Sequence, residues 1–397
     1  MNKYLLLLGF AGAALFSACS NSDDLSIEES PAIDKAKDAA LIYEASQDSD
    51  VPIILGAGQS RGYTRAPIDP TDVEEGYGNF STEIDDPLTT ETNEARYLSV
   101  FCLATGTQET VPVSNLPTLV SQNKWKNNDE SNLVVRMSNV PAKVDAGNVS
   151  FMDPDSLSAV TPTETQKDYY YPEGNWMKYS FYAYYPYDKS ATLNWGSHQV
   201  QVNLTIDGSQ DIIWGMANPP VVDAAFSAKY FKDNVSAEIP KLKFEHKLVQ
   251  FRFFVKAYDE DVVTAGAKVT KMDVRNAITN VSLIVANKND ITLNGTLTPG
   301  NATGILNIKE HNGDRFDGTD GKAKTLSTSE EEVGYIMLPA PSSGVNYTSQ
   351  VKIVYTKESV KKSKKINFTL KPSGGITAFN AGKTYNIVFN IKSSDLD

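Results

Sequence analysis

The residues of this chain that could do chemistry are few and scattered. His198, His246 and His311 stand far apart, and none has a metal-ligating partner at a standard spacing. The chain holds no H-E-x-x-H, no paired CxxC and no P-loop. Gly58-Gln59-Ser60-Arg61-Gly62 fits G-x-S-x-G. That pattern makes a nucleophile only where the serine sits on a sharp turn from strand to helix, and Tyr63 to Pro70 carries two prolines and no helical period. Asp314, Asp317 and Asp320 miss the D-x-D-x-D-G spacing that turns alternate oxygens onto one calcium ion. Glu330 to Glu332 and Asp85-Asp86 read as solvated charge. An acid pair for glycoside hydrolysis is set by folding and not by spacing, and nothing in the sequence favours one. The expectation is a protein with no catalytic residues, metal or cofactor.

Two cysteines remain. Cys102 lies in the apolar run Tyr97 to Ala104, with no histidine or cysteine beside it, and reads as a small buried hydrophobe. Cys19 is different. Lys3 precedes an apolar run from Tyr4 to Ala18, too short to span a bilayer but long enough for a signal-peptide core. It ends in Leu15-Phe16-Ser17-Ala18-Cys19, which resembles a bacterial lipobox with Phe16 in place of the commoner Leu. The reading is a signal peptide over 1–18, cleaved to leave Cys19 lipidated. Ser20 to Asp24 resembles the acidic tag of surface-exported lipoproteins, implying the outer face of an outer membrane. Residues 19–50 are read as tether and propeptide.

The 397 residues carry 41% apolar side chains, enough for sizeable cores, and a formal net charge of -12. An acidic chain repels phosphate backbones, so nucleic acid is not an expected partner. The one dense basic run, Lys357 to Lys365, reads as a solvated hairpin tip.

The elements that carry these residues look all-β. Val51 to Ile68 begins as an apolar, strand-like run and continues into a Gly/Ser/Thr-rich segment with Arg61 and Arg65. Asp69 to Glu94 has no periodicity and reads as a long exposed loop. Short strands are predicted over Tyr97–Ala104, Leu133–Met137, Tyr179–Tyr187, His198–Ile206 and Asp211–Met216. In HQVQVNLTI, Val200, Val202, Leu204 and Ile206 alternate with polar residues, so one face is buried and the other wet. Asn218 to Pro240 breaks the composition, and a boundary is placed there, giving 51–240 and 241–397. The second part repeats the style with Leu242–Ala257, Ile278–Val285, Ile291–Leu297, Val333–Leu338, Gln350–Tyr355, Ile366–Leu370 and Tyr385–Ile391. Many short alternating strands with almost no helix predict two tandem antiparallel β-sandwiches.

Ten aromatic residues between Tyr169 and Tyr187, among them Trp176, could stack on sugars if exposed. Alternation in YSFYAYYPYD puts Tyr179, Phe181, Ala183, Tyr185 and Tyr187 on one side, which fits a packed strand better.

Three landmarks together resemble the fimbrillin (Mfa-like) family: Phe181 to Tyr187, Phe244-Glu245-His246 leading into an apolar strand, and Ala381 to Phe389. Thr64-Arg65-Ala66 after a first apolar strand is similar to that family's N-terminal pattern. The resemblance spans about Pro52 to Lys392. It implies a type V pilus subunit of two transthyretin-like β-sandwiches, exported as a lipoprotein and cut after an arginine by a trypsin-like maturation protease. The cut frees the first strand, over 51–68, and opens a groove for a strand from another fimbrial subunit. Arg65 and Arg61 are the processing candidates, Arg65 favoured by the Thr-Arg-Ala match. After Tyr385–Ile391 only a polar stretch, Lys392 to Asp397, follows. If that strand belongs to the subunit's own sheet, the subunit accepts a strand without giving one, which implies the fimbrial tip and a ligand on a host or bacterial surface. The competing expectation is an uncleaved surface lipoprotein that binds glycans through its aromatic residues.

Overall fold

The computed structural model describes residues 48–58, 74–76, 97–107, 125, 134–145, 148–160, 169–172, 177–217, 226–233, 237–310, 315–318, 321–341, 346–371 and 378–396, and all structural statements concern these. The fold is all-β. In chain order the first strands are β1 (Asp48–Pro52), β2 (Leu55–Gly58), β3 (Glu74–Gly76), β4 (Leu98–Thr107), β5 (Val135–Asp145), β6 (Asn148–Phe151), β7 (Tyr170–Pro172), β8 (Met177–Tyr185), β9 (Leu193–Gly196), β10 (Gln199–Thr205) and β11 (Ile213–Ala217). A short helix, α1 (Ala228–Asp233), leads to β12 (Lys241–His246) and β13 (Val249–Ala257). After α2 (Glu260–Thr264) come β14 (Lys268–Ile278), β15 (Asn280–Asn287), β16 (Leu297–Pro299), β17 (Thr303–Asn307), β18 (Lys324–Thr325), β19 (Glu331–Leu338), β20 (Tyr347–Lys357), β21 (Val360–Leu370) and β22 (Thr384–Ile391). The last element is α3 (Ser393–Leu396).

Seven strands close a barrel in the order β11-β12-β2-β6-β5-β4-β8, with β8 pairing back to β11. Two other sheets, β19-β13-β22-β3 and β17-β14-β20-β21, form a sandwich. Their inner faces meet through Phe251 against Tyr347, ring centroids 6.3 Å apart, and Phe368 against Phe389 at 4.5 Å. A third sheet, β16-β15-β10-β9, joins strands from both halves of the chain. Most pairings are antiparallel, as the alternation predicts. Two are parallel, β12 with β2 and β13 with β22, and neither pair is joined by a hairpin, which would have forced it antiparallel.

The alternation explains why these segments become half-buried strands. In β13 (VQFRFFVKA), Val249, Phe251, Phe253, Val255 and Ala257 point into the core, while Gln250, Arg252, Phe254 and Lys256 are partly wet. Leu242–Ala257, expected as one strand, is two. Leu242 and Phe244 are buried at even positions and Val249 to Val255 at odd ones, and a strand cannot change faces without breaking. The break at Lys247-Leu248 sends β12 to the barrel and β13 to the sandwich. Pairing therefore runs across Pro240 and Lys241, where the boundary was expected, and the buried apolar residues of both halves form one continuous cluster.

The basic run lies on the β20–β21 hairpin, whose two-residue turn, Glu358-Ser359, has φ of 53° and 63°. Both residues are left-handed, which suits the right-handed twist of the flanking strands. Lys392 to Asp397 reads as a polar stretch. Within it α3 turns Leu396 into the core at 5% exposure, and Tyr355 donates its hydroxyl proton to the Leu396 carbonyl.

Candidate functional site

The first strand and its slot are built from very little sequence. Pro52 ends β1, which pairs with β7, and Ile53 N–H donates to the Tyr169 carbonyl at 2.8 Å. Next, β2 (LGAG) enters the barrel wall between two neighbours. On one side Leu55 faces Val149 and Gly56 faces Asn148, antiparallel. On the other, Gly56, Ala57 and Gly58 face Lys241, Leu242 and Lys243, parallel, and Gly56 N–H reaches the Pro240 carbonyl at 2.8 Å. Ile53 and Leu55 are 2% and 1% exposed, whereas Ile54 between them is 53% exposed. This alternation carries Ile53 and Leu55 inward with the buried Val149 and Leu242.

Two glycines in four residues give β2 poor intrinsic strand propensity. Its place is set by the slot, through ladder bonds on both sides and burial of Ile53 and Leu55, which contributes about 1.5–3 kcal/mol each. Without β2 the Pro240–Lys243 and Asn148-Val149 edges would present unpaired backbone groups beside an apolar groove, a combination that another β-segment satisfies.

The wall behind the slot is aromatic and closed. Tyr171, Tyr179, Phe181, Tyr182 and Tyr184 are at most 2% exposed, and Tyr171 packs on Phe231 of α1 with centroids 5.5 Å apart. The expected alternation of β8 buries one face; the structure buries both, with Tyr184 stacked on Phe101 at 6.0 Å. Burial pushes Tyr182 and Tyr184 up to about 12 and Tyr171 well above the usual tyrosine range. Rings in this state do not reach a sugar in solution. Arg136, 4% exposed, donates from Nε to the Tyr170 carbonyl at 2.7 Å and ties β5 to β7.

Cys19, Arg61, Arg65, Ser60, Trp176, His311, Asp314 and Asp320 lie outside the described residues. Cys102 is fully buried in β4, and burial pushes its thiol far above the ordinary range. His246 at the end of β12 pairs through Nδ1 with Asp211 Oδ2, both side chains under 10% exposed, and Asp211 Oδ1 accepts from Ile212 N–H at 2.8 Å. This makes His246 a hydrogen-bonded structural histidine. His198 sits in the β9–β10 turn, where its carbonyl accepts from Lys288 N–H. Among the described residues no three of His, Cys, Asp and Glu are grouped to hold a metal ion.

At the other end of the chain, β22 runs between β13 and β3 in the interior of its sheet. Asp259 fastens the segment after it, accepting from Ser393 N–H at 3.0 Å and Ser393 Oγ at 3.1 Å.

The fimbrillin-like family model matches residues 118–396, which takes in the slot's walls, β6 and β12, and every strand of the sandwich except β3. The chain belongs to the fimbrillin-like family. Membership makes it a cell-surface fimbrial protein, structural in kind. Similar solved structures include a candidate cell-adhesion protein of Bacteroides uniformis, 14% identical, covering 87% of this chain and 93% of that one with a TM-score of 0.42. Another, from Bacteroides eggerthii, is 9% identical over 86% and 87% of the two chains with a TM-score of 0.40. A candidate adhesin of Bacteroides thetaiotaomicron is 10% identical over 75% and 84%, TM-score 0.29. No curated protein matches the chain.

One wall of this fimbrillin-like slot, β6, is absent from the sequence-based reading, and the other, β12, is merged there with β13 into one strand over Leu242–Ala257. Asn148–Phe151 alternates exposed and buried over four residues only, too short a signal to assign. Lys241–His246 carried a usable signal, the change from even to odd apolar positions after Phe244.

Proposed function

We propose that the chain is a type V fimbrial subunit whose first strand is a temporary occupant of the barrel slot. The observation that carries this is the seating of Leu55–Gly58: one large buried side chain, two glycines, and a neighbour strand on each side. In this reading the protein is exported as a lipoprotein through Cys19 and reaches the outer membrane surface with the slot filled. A trypsin-like protease then cuts after Arg65 or Arg61, and the segment that linked the body to its lipid leaves the barrel. A strand from another subunit replaces it.

The place of β22 supports a subunit that accepts and does not donate, since it is paired on both sides and its following residues are fastened to Asp259 and Tyr355. A tip position and adhesion to a host or bacterial surface follow from that. The body plan is two modules, 51–240 and 241–397, with β12 lent from the second to the barrel of the first.

The test is limited trypsin digestion of the purified proform, followed by addition of a peptide or subunit carrying a donor strand. Cleavage at Arg61 or Arg65 that leaves a stable body able to take up the donor supports the reading. Resistance of both arginines, or a cut body that keeps 48–58 bound against excess donor, overturns it.

A further inference from the structure

The outer face of the β17-β14-β20-β21 sheet carries a feature with no place in strand exchange. Register and burial fix which residues of β14, β20 and β21 point away from the core. Met272, Val351 and Ile353 are buried, so their strand neighbours Lys271 and Lys352 face outward, and the exposed Lys365 of β21 shares that face through its pairing with Lys352. Lys271 pairs with Lys352, and Lys352 with Lys365. Three lysines, from parts of the sequence with no common run, thus form one row across three adjacent strands, spanning about 10 Å. Lys268 and Lys361 flank it on the same face.

Like charges directly opposite one another destabilise a sheet. Among the described residues the carboxylate paired with this row is Asp273, 2% exposed, which lies 3.3 Å from Lys271 Nζ and 3.2 Å from Arg275 Nε. Among the described residues no carboxylate pairs with Lys352, Lys361 or Lys365. On a chain of net charge -12 this concentration of cations is local, and among the described residues one carboxylate, Asp273, offsets it.

Next to the row is an open hollow of about 320 Å³, lined by Arg275, Asn276, Thr348, Gln350 and Asn367, with Ile305 at its rim. Its polar groups are held in place: Arg275 Nη2 donates to Gln350 Oε1 at 2.6 Å, and Gln350 Nε2 donates to Asn367 Oδ1 at 2.9 Å. The guanidinium keeps further N–H groups for an incoming carboxylate or sulfate. Amides and hydroxyls around a fixed cation suit the hydroxyls of a sugar. The outward positions of these three strands hold no aromatic ring for a nucleobase to stack on.

We propose that this face binds an anionic polysaccharide, a chain of uronate or sulfated sugars, with its charges along Lys271, Lys352 and Lys365 and one sugar unit in the Arg275 hollow. The site is independent of strand exchange, because none of the slot's strands belongs to this sheet.

The experiment uses the uncut full chain with chondroitin sulfate as probe, and neutral dextran and double-stranded DNA as comparisons, by calorimetry at low ionic strength. Chondroitin sulfate is expected to bind and to weaken as salt rises, and dextran not to bind. Lys352→Gln with Lys365→Gln is expected to cost about tenfold in affinity without lowering the melting temperature, since it relieves like-charge contacts. Should that pair fail to fold, the exposed Lys365→Gln alone is expected to cost about threefold. No binding by the wild type, affinity unchanged by the glutamines, equal binding of dextran, or tighter binding of DNA each overturns the proposal. None of these results bears on whether the slot exchanges its strand.

Discussion

The barrel and the sandwich complete their sheets with opposite kinds of strand. The barrel is closed by β2, four residues from near the chain's start, two of them glycine, with Leu55 as its single large buried side chain. The sandwich is completed by β22, eight residues with Tyr385, Ile387, Phe389 and Ile391 all buried and with strands on both sides. Both strands lie parallel to one neighbour, so pairing direction does not distinguish them. What distinguishes them is how much apolar surface each takes out of water. A strand that contributes little can leave and let its sheet be repaired, and a strand that carries part of the core cannot.

The sharpest way to break this comparison is to place a charge under each strand. Ile387→Asp puts an unpaired carboxylate in the sandwich core and is expected to cost more than about 4 kcal/mol, unfolding the sandwich in a denaturant titration. Leu55→Asp is expected to expel the first strand while the sandwich melts near its normal temperature. If both variants unfold the whole molecule equally, the strands are not different in kind.

A smaller change sharpens the same point. Leu55→Ala is expected to cost about 3 kcal/mol of local stability. In hydrogen exchange the amides of β2, β6 and β12 should lose protection, while those of β13 and β22 keep it.

The alkaline limit tests the walls and not the closing strands. Burial raises Tyr182 and Tyr184 of the barrel to about 12, from an ordinary value of about 10. A group held neutral in this way stabilises the fold fully below pH 10, and that contribution is lost as pH rises from about 10 toward 12, because the unfolded phenol ionises first. The barrel should therefore unfold in that window, with phenolate absorbance appearing together with loss of structure. Tyr184→Phe is expected to move the midpoint upward, although it also loses the 3.3 Å bond to Asn139 Oδ1.

The smallest effect concerns the fastening of the chain beyond β22. Asp259 caps α2 through Val262 N–H at 3.2 Å and holds Ser393. Asp259→Ala is expected to loosen this fastening slightly, read as faster exchange in α3 with no change at β2.

Much of the fold was legible because alternation is a local signal. β10, β13 and β22 fall where apolar and polar residues alternate, and the β20–β21 hairpin falls on the basic run. What was not legible depends on partners far away in sequence. LGAG has no pattern that names Pro240–Lys243 as its neighbour. The second half of β5 contains Pro141 and a left-handed Asn139 at φ 53°, both of which argue locally against a strand. β14 mixes Lys271, Asp273 and Arg275 among its apolar positions, so the inward set is diluted. The lysine row was invisible for the same reason as the slot, since its three members are assembled by register alone.

Trp214 offers a consequence of another order. It projects from the barrel strand β11 with its indole N–H bonded to the Val285 carbonyl at 2.9 Å, over Gly295, whose φ of +72° and lack of a side chain leave room for the ring; a Cβ there would lie 2.4 Å from it. Together with the β10–β15 pairing, it pegs the barrel to the strands that lead into the sandwich. If tension enters a fimbrium through the barrel slot, close packing passes the load on through this peg instead of letting a hinge absorb it. The molecule would then behave under traction as a single stiff link.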